Sequence, residues 1–215
     1  GVIISLKNAA EFPVRLVESG PAGGAVFAAH IAASYGLNKV LSFDMGGTTA
    51  KICLVKDHTP KTARTFEVAR TYRFKKGSGM PISIPVINMV EIGAGGGSLA
   101  HVDVMNQIRV GPESAGSKPG PACYGRGGTN PAVTDADLIL GKLDPHEFAG
   151  GTIPLYPERA AQALGDHIGS ALDMDVVEAA WGVAELVDEN MANAARVHAV
   201  ENGEDLSEYT MIAFG

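Results

Sequence analysis

The residues best suited to chemistry form one short run. An apolar segment, Val40-Leu41-Ser42-Phe43, ends on the carboxylate of Asp44 and leads through Met45-Gly46-Gly47-Thr48-Thr49 into a second apolar segment, Ile52-Cys53-Leu54-Val55. Two glycines remove Cβ atoms, so the backbone can approach a ligand closely, and the threonine N–H and hydroxyl groups can donate to phosphate oxygens. Gly46, Gly47, Thr48 and Thr49 are therefore the candidate phosphate contacts. Asp44 would repel phosphate directly. Its role would be to hold Mg²⁺, usually through water, or to orient a nucleophile. Asp44 and Thr48 are the candidate catalytic residues, and Asp44 is the candidate metal ligand. A plain Gly-Gly hairpin is the competing reading. Against it stand a charge at the end of an apolar strand and a Thr-Thr pair in a surface turn.

A second glycine cluster, Gly93-Ala94-Gly95-Gly96-Gly97-Ser98, follows a strand pattern. It is neither a dinucleotide fingerprint nor a Walker loop: Ser98 takes the place of the third glycine, no helix pattern follows, and no Gly-Lys-Ser/Thr ending exists. Gly95, Gly96, Gly97 and Ser98 could form a nest of N–H donors for nucleotide or substrate oxygen, or simply a wide turn. His101 and Asp103 alternate along the next strand and share a face. A hydrogen-bonded surface histidine beside an exposed aspartate is the favoured reading over a metal or proton-transfer role. Asp135 and Asp137 suit helix capping. Cys123 reads as a buried structural thiol, since no neighbour in the sequence would activate it.

The elements that position these residues can be read in order. Ser19-Gly20-Pro21 opens a helix over 22–35 that Gly36 closes. Val40–Phe43 and Ile52–Val55 pair as a hairpin, and strands follow over 65–74 and 82–92, the latter interrupted by Pro85. Residues 99–104 and 107–110 make a second hairpin about Met105-Asn106. Prolines and glycines over 111–131 predict no regular element there, and a loop of that length is usually functional or disordered. Thr134-Asp135 caps a short helix to Leu140, Pro157 opens another to about Gly169, and Asp175 opens the longest, to about Glu201, stopped by Asn202-Gly203. On that helix Val176, Val177, Ala180, Val183, Ala184, Val187 and Met191 form a core-facing stripe. Asn190, Asn193, Arg196 and His198 follow it as structural polar groups, Arg196 favoured by the helix dipole. Tyr209–Phe214 is a final strand. The organisation expected is a β-rich part over 1–110, a Gly/Pro-rich loop over 111–132 and a helical part over 133–215.

Composition narrows the class. The 215 residues are 46% hydrophobic and 19% charged, as expected of a globular domain. The net charge of −7 leaves no basic face for a phosphate backbone, so nucleic-acid binding is not expected. No apolar run is long enough to span a membrane and no signal peptide is visible, which reads as cytoplasmic. The two cysteines, Cys53 and Cys123, fit neither zinc spacing nor a disulfide framework.

Phe43-Asp44-Met45-Gly46-Gly47-Thr48-Thr49 resembles the first phosphate loop of the actin, Hsp70 and sugar-kinase superfamily. The surrounding blocks narrow the match: Glu18-Ser19-Gly20-Pro21-Ala22-Gly23-Gly24, Ile92–Ser98, Arg109-Val110-Gly111-Pro112, Pro119-Gly120-Pro121-Ala122-Cys123-Tyr124 and Val133-Thr134-Asp135-Ala136-Asp137. In this order they are similar to the hydantoinase A, 5-oxoprolinase and acetone carboxylase β-subunit family. The resemblance implies an α/β chain of the ribonuclease H-like, actin-like ATPase fold, with a mixed sheet, β-hairpins in the first half and helices in the second. It implies ATP and Mg²⁺ as cofactors and an enzyme that phosphorylates and opens a hydantoin or 5-oxoproline-type lactam. The alternatives are a ketone carboxylase subunit or a noncatalytic segment of such an enzyme. A hydantoinase B-type partner subunit or domain is also implied. Relatives carry a similar loop before Gly1 and a glycine-rich segment after Gly215, so this chain is expected to be an internal portion of a longer enzyme, inactive alone. Lys51 stands where relatives often carry an acidic residue, which puts a second carboxylate role there in doubt.

Overall fold

A computed structural model describes residues 4–16, 19–68 and 79–215. Glu18 and the part of the expected strand beyond Val68 lie outside the described residues. In chain order the elements are α1 (Leu6–Glu11), α2 (Ser19–Tyr35), β1 (Lys39–Met45), β2 (Ala50–Lys56), β3 (Thr59–Pro60), β4 (Thr62–Ala63), β5 (Phe66–Val68), β6 (Met80–Ile82), β7 (Val86–Ile87) and β8 (Met89–Ile92). Then come β9 (Ser98–Val102), β10 (Ile108–Ser114), α3 (Val133–Ile139), α4 (Pro157–Leu164), α5 (Ser170–Leu172), α6 (Val176–Glu201) and β11 (Thr210–Phe214). Among the described residues no helix is long and apolar enough to cross a membrane.

The chain forms two compact units, each built from separated segments: Gly1–Asp44, Lys51–Val90 and His198–Gly215 make the first, Met45–Ala50 and Glu91–Val197 the second. In the first unit the sheet runs β11-β1-β2-β3. Parallel pairing of β1 with β11 sets Asp44 beside Phe214 at the carboxyl ends of both strands, while β2 and β3 pair antiparallel. The sheet is therefore mixed. Helix α2 is as alanine-rich as its sequence suggests because it packs tightly: Ala29 and Ala32 lie against Val40 and Val55, and Ala22 and Ala25 against Cys53 and Ile87. Gly36, at φ +66°, closes the helix, with the Leu37 amide bonded to the Ala32 carbonyl at 2.9 Å. The strand expected over 82–92 is divided into β6, β7 and β8, with Pro85 outside all three.

The second unit contains the β9–β10 hairpin and helices α3 to α5, with most of α6. Three expectations are corrected here. First, β10 continues to Ser114 through an irregular register after Val110, and Ala122–Tyr124 forms a 3₁₀ turn, so the 111–131 segment is not wholly irregular. The Ala100 amide also ties it down by donating to the Pro131 carbonyl at 2.8 Å. Second, the helix opened by Pro157 does not stop at Gly169: a π-helical turn over Gly165–Gly169 carries it into α5. Third, Val177 leaves the predicted stripe on α6. It is 57% exposed, while Ala180, Val183, Ala184, Val187 and Met191 are buried. Val177 instead lines an apolar groove of about 640 Å³ with Leu172, Met174 and Trp181. Asp175 caps α6 as expected, accepting from the Glu178 amide at 2.8 Å while the Glu178 carboxylate accepts from the Asp175 amide at 3.0 Å.

Candidate functional site

The turn joining β1 to β2 belongs to the second unit. Gly46, Gly47 and Thr48 are exposed, and Thr49 is half-buried. The Gly46 amide closes the turn on the Thr49 carbonyl at 2.9 Å. Two further bonds join the turn to the second glycine cluster: the Gly96 amide donates to the Gly46 carbonyl at 3.1 Å and the Gly97 amide to the Gly47 carbonyl at 2.7 Å. Gly95 must be glycine for this contact. A Cβ there would lie 2.5 Å from the Gly46 oxygen and 2.8 Å from the Thr48 nitrogen, both backbone atoms.

Peptide planarity turns those two bonds into an orienting device. A carbonyl and the N–H that follows it share one rigid plane and, in the trans form, point in opposite directions. Anchoring the Gly46 and Gly47 carbonyls on Gly96 and Gly97 therefore aims the Gly47 and Thr48 N–H groups the other way. Neither of these amides has a partner among the described residues. A Cβ placed on Gly47 would meet nothing within 4 Å, so the space beside it is open. Two adjacent N–H donors and the Thr48 hydroxyl thus stand ready for an anion.

The second cluster has the opposite character: its backbone N–H groups are occupied. The Gly95 amide donates to the Ser98 Oγ at 2.9 Å and the Ser98 amide to the Gly95 carbonyl at 3.0 Å. With the Gly96 and Gly97 amides on the phosphate-loop carbonyls, all four N–H groups are committed within the unit. Ser98 is fully buried. The cluster is a brace beneath the turn, with its backbone donors taken up.

Behind the brace stand residues whose roles the sequence did not disclose. The Thr134 amide and hydroxyl both donate to the Gly96 carbonyl, at 2.8 and 2.7 Å, and the Ala115 amide donates to the Gly97 carbonyl at 2.8 Å. Thr134 is thus not a cap. The capping residue of α3 is Ala132, and Asp135 in the first turn reaches back to its amide at 2.8 Å. The fully buried Asp135 carboxylate also accepts from the amides of Ala122 at 3.1 Å and Cys123 at 2.7 Å. A charged acceptor with three N–H donors fixes the 3₁₀ turn to the start of α3. The adjoining Thr-Asp pair after a Gly/Pro-rich loop was the available signal, but it is indistinguishable from a capping pair without the fold.

The remaining candidates make other contacts or lie exposed. Asp103 accepts from the Arg109 guanidinium at 2.7 Å and from the Met105 and Gln107 amides at 2.8 and 3.0 Å, which closes the β9–β10 turn. The Arg109 bond, with those amides, holds its carboxyl below the usual carboxylate range. His101 is exposed and faces Arg109 across the hairpin. Asp137 pairs with Lys142 at 3.1 Å, yet burial dominates and pushes its carboxyl above the usual range. Burial also pushes the Cys53 thiol up to about 12, and raises that of Cys123 with help from the Asp135 charge. Both remain protonated, inert thiols at neutral pH. Arg196 bonds to Asn193 at 2.8 Å.

In the first unit, Asp44 is half-buried at the carboxyl end of β1, where ligands of open α/β sheets are commonly met. Gly24 of α2 makes room there: a Cβ on it would lie 2.5 Å from the Phe214 ring and 3.5 Å from the Asp44 Oδ2. No hydrogen bond or ion pair joins the Asp44 carboxylate to a described residue. No group of three or more His, Cys, Asp or Glu side chains among the described residues could cage a metal. A single open carboxylate fits Mg²⁺ that arrives with phosphate ligands and retains its waters.

A mixed sheet with Asp44 at the carboxyl end of β1, followed by a braced Gly-Gly-Thr turn, is consistent with the α/β actin-like ATPase fold. The chain belongs to the hydantoinase/oxoprolinase family, whose sequence model matches residues 1–215. It is 42% identical to an uncharacterized protein of Methanocaldococcus jannaschii, a match covering all of this chain and 32% of that protein. It is 37% identical to the caprolactamase subunit alpha of Pseudomonas jessenii, over 95% of this chain and 28% of that subunit. Among solved structures, nucleotide-free acetone carboxylase, described as acting by ATP-dependent acetone carboxylation, matches with a TM-score of 0.78 at 27% identity, covering 92% of this chain and 27% of that one. The chain therefore spans less than a third of the length of these relatives.

Proposed function

We propose that this chain carries part of the ATP site of an enzyme that phosphorylates and opens a cyclic amide, a hydantoin or a 5-oxoproline-type lactam. The observation that carries the reading is the pair of N–H groups of Gly47 and Thr48, which have no partner among the described residues, shortly after the Asp44 carboxylate at the carboxyl end of β1. Bound Mg-ATP would supply a phosphoryl group to the amide carbonyl oxygen, which makes the ring carbon open to water. Gly47 and Thr48 would donate to phosphate oxygens, with Thr49 completing the turn. Asp44 would hold the metal through its waters. Gly46 and the segment Gly95–Ser98 would support the turn from below. Such a site works by positioning and charge stabilisation, which requires rigid donors more than reactive side chains.

The caprolactamase relative supports a lactam substrate. The match to acetone carboxylase supports a second reading, in which the same activation serves a ketone and the enzyme is a carboxylase subunit. In either case the enzyme would work with a partner subunit or domain of the hydantoinase B type. The deciding experiment is phosphate release by the full-length protein with its partner, measured with 5-oxoproline, hydantoins, lactams and small ketones. Stimulation by one class selects the chemistry. Asp44→Ala is expected to abolish the stimulated release while circular dichroism stays native. Wild-type turnover in that variant would sink the assignment.

A further inference from the structure

We propose that Thr134 is a positioning residue for the phosphate loop, acting through two peptide planes without touching nucleotide. The inference rests on the phosphate-loop reading above and deepens it. Thr134 gives the Gly96 carbonyl two donors, its amide at 2.8 Å and its hydroxyl at 2.7 Å. The Gly96 carbonyl shares a plane with the Gly97 N–H, so fixing one fixes the direction of the other. The Gly97 N–H holds the Gly47 carbonyl at 2.7 Å. That carbonyl in turn shares its plane with the Thr48 N–H, which has no partner among the described residues. The sequence of contacts runs unbroken from the Thr134 side chain to the Thr48 donor of the loop.

Three features separate this arrangement from ordinary packing. The relay is entirely polar, and in a chain of hydrogen bonds each bond polarises the next. The glycines leave it no slack: a Cβ on Gly96 would lie 2.9 Å from the Thr134 Oγ1, and one on Gly97 would lie 2.8 Å from the Gly47 oxygen. Finally, Thr134 is 6% exposed, so its hydroxyl has no bulk water with which to exchange the Gly96 bond. The relay therefore reaches a ligand through the Thr48 N–H.

The test uses the full-length protein with its partner subunit and compares Mg-ATP with adenosine by titration calorimetry. Thr134→Val keeps the shape and the amide but removes the hydroxyl, and is expected to weaken Mg-ATP by about tenfold, the scale of one net hydrogen bond, with adenosine affinity unchanged. Thr134→Ser restores the donor and is expected to return Mg-ATP affinity to within about twofold of wild type. Wild-type Mg-ATP affinity in Thr134→Val, or an equal loss for adenosine, overturns the proposal. Hydrogen exchange on the wild-type protein tests the same relay whether or not that variant folds. The Gly96 and Gly97 amides should be protected without nucleotide, and those of Gly47 and Thr48 only with Mg-ATP. The reverse pattern overturns the relay. Wild-type protein that binds Mg-ATP no better than adenosine defeats the phosphate-loop reading itself.

Discussion

Gly46–Thr49 and Gly95–Ser98 are both glycine-rich turns following strands, yet the fold gives them opposite duties. In the first, the carbonyls of Gly46 and Gly47 are anchored and the following N–H groups have no partner among the described residues. In the second, every N–H is taken up inside the unit and the serine is buried. The difference teaches that glycine content marks close backbone approach but not what approaches. At Gly47 the neighbouring space is empty, as a ligand site requires, and at Gly95 it is filled by another stretch of backbone.

The most damaging way to break this contrast is Gly95→Ala. Its Cβ would meet the Gly46 oxygen at 2.5 Å, the Gly47 carbonyl carbon at 2.9 Å and the Thr48 nitrogen at 2.8 Å. None of these is a flexible side-chain end, so the turn itself must move. Overpacking of this kind costs about 1 to 3 kcal/mol. The expected result is a lowered melting temperature together with loss of substrate-stimulated phosphate release. A variant that kept both would show that the brace does not bear on the turn.

Asp135→Asn attacks the support one layer further back and should cost less activity than stability. The carboxylate accepts three N–H bonds at 2.7 to 3.1 Å with no exposure. The amide of asparagine leaves one oxygen for those donors and turns an NH₂ group towards at least one of them. Leaving a buried donor unpaired costs about 1 to 3 kcal/mol. Denaturant unfolding of the full-length protein should register that loss, while Mg-ATP affinity falls less than in Gly95→Ala. An unchanged unfolding midpoint would remove Asp135 from the scaffold.

Much of this was legible before the fold. The hairpin through Asp44–Thr49, the Asp175–Glu178 capping box, the Gly36 and Gly203 stops and the strand Thr210–Phe214 follow from local periodicity and local chemistry, so the sequence discloses them. The brace was not legible, because it depends on contact between Gly46–Gly47 and Gly96–Gly97, fifty residues apart, and an N–H reads the same whether free or bonded. Asp135 does cap α3, but its hold on the 3₁₀ turn and the bonds of Thr134 to Gly96 were hidden for a related reason. Side chains that suit a helix start also suit any nearby acceptor or donor, and only the tertiary neighbours decide which they serve. Val177 was misplaced because a seven-residue stripe is wider than the face that α6 buries.

The smallest effect, and the sharpest test of the contrast, is expected from Gly47→Ala. Gly47 does not have positive φ, so alanine can adopt its backbone, and the added methyl would meet nothing within 4 Å. Replacing glycine with alanine at such a position narrows the unfolded ensemble and stabilises by about 0.4 to 1 kcal/mol. The melting temperature should hold or rise slightly. The methyl nevertheless projects into the open space beside the Gly47 and Thr48 N–H groups, so the variant should bind Mg-ATP more weakly while binding adenosine as well as wild type. The two glycines then part company: alanine at Gly95 lowers stability and activity together, and alanine at Gly47 lowers phosphate affinity alone. Equal destabilisation by both would mean that the turn at Gly47 is packed, not open, and the distinction between donor loop and brace would fall.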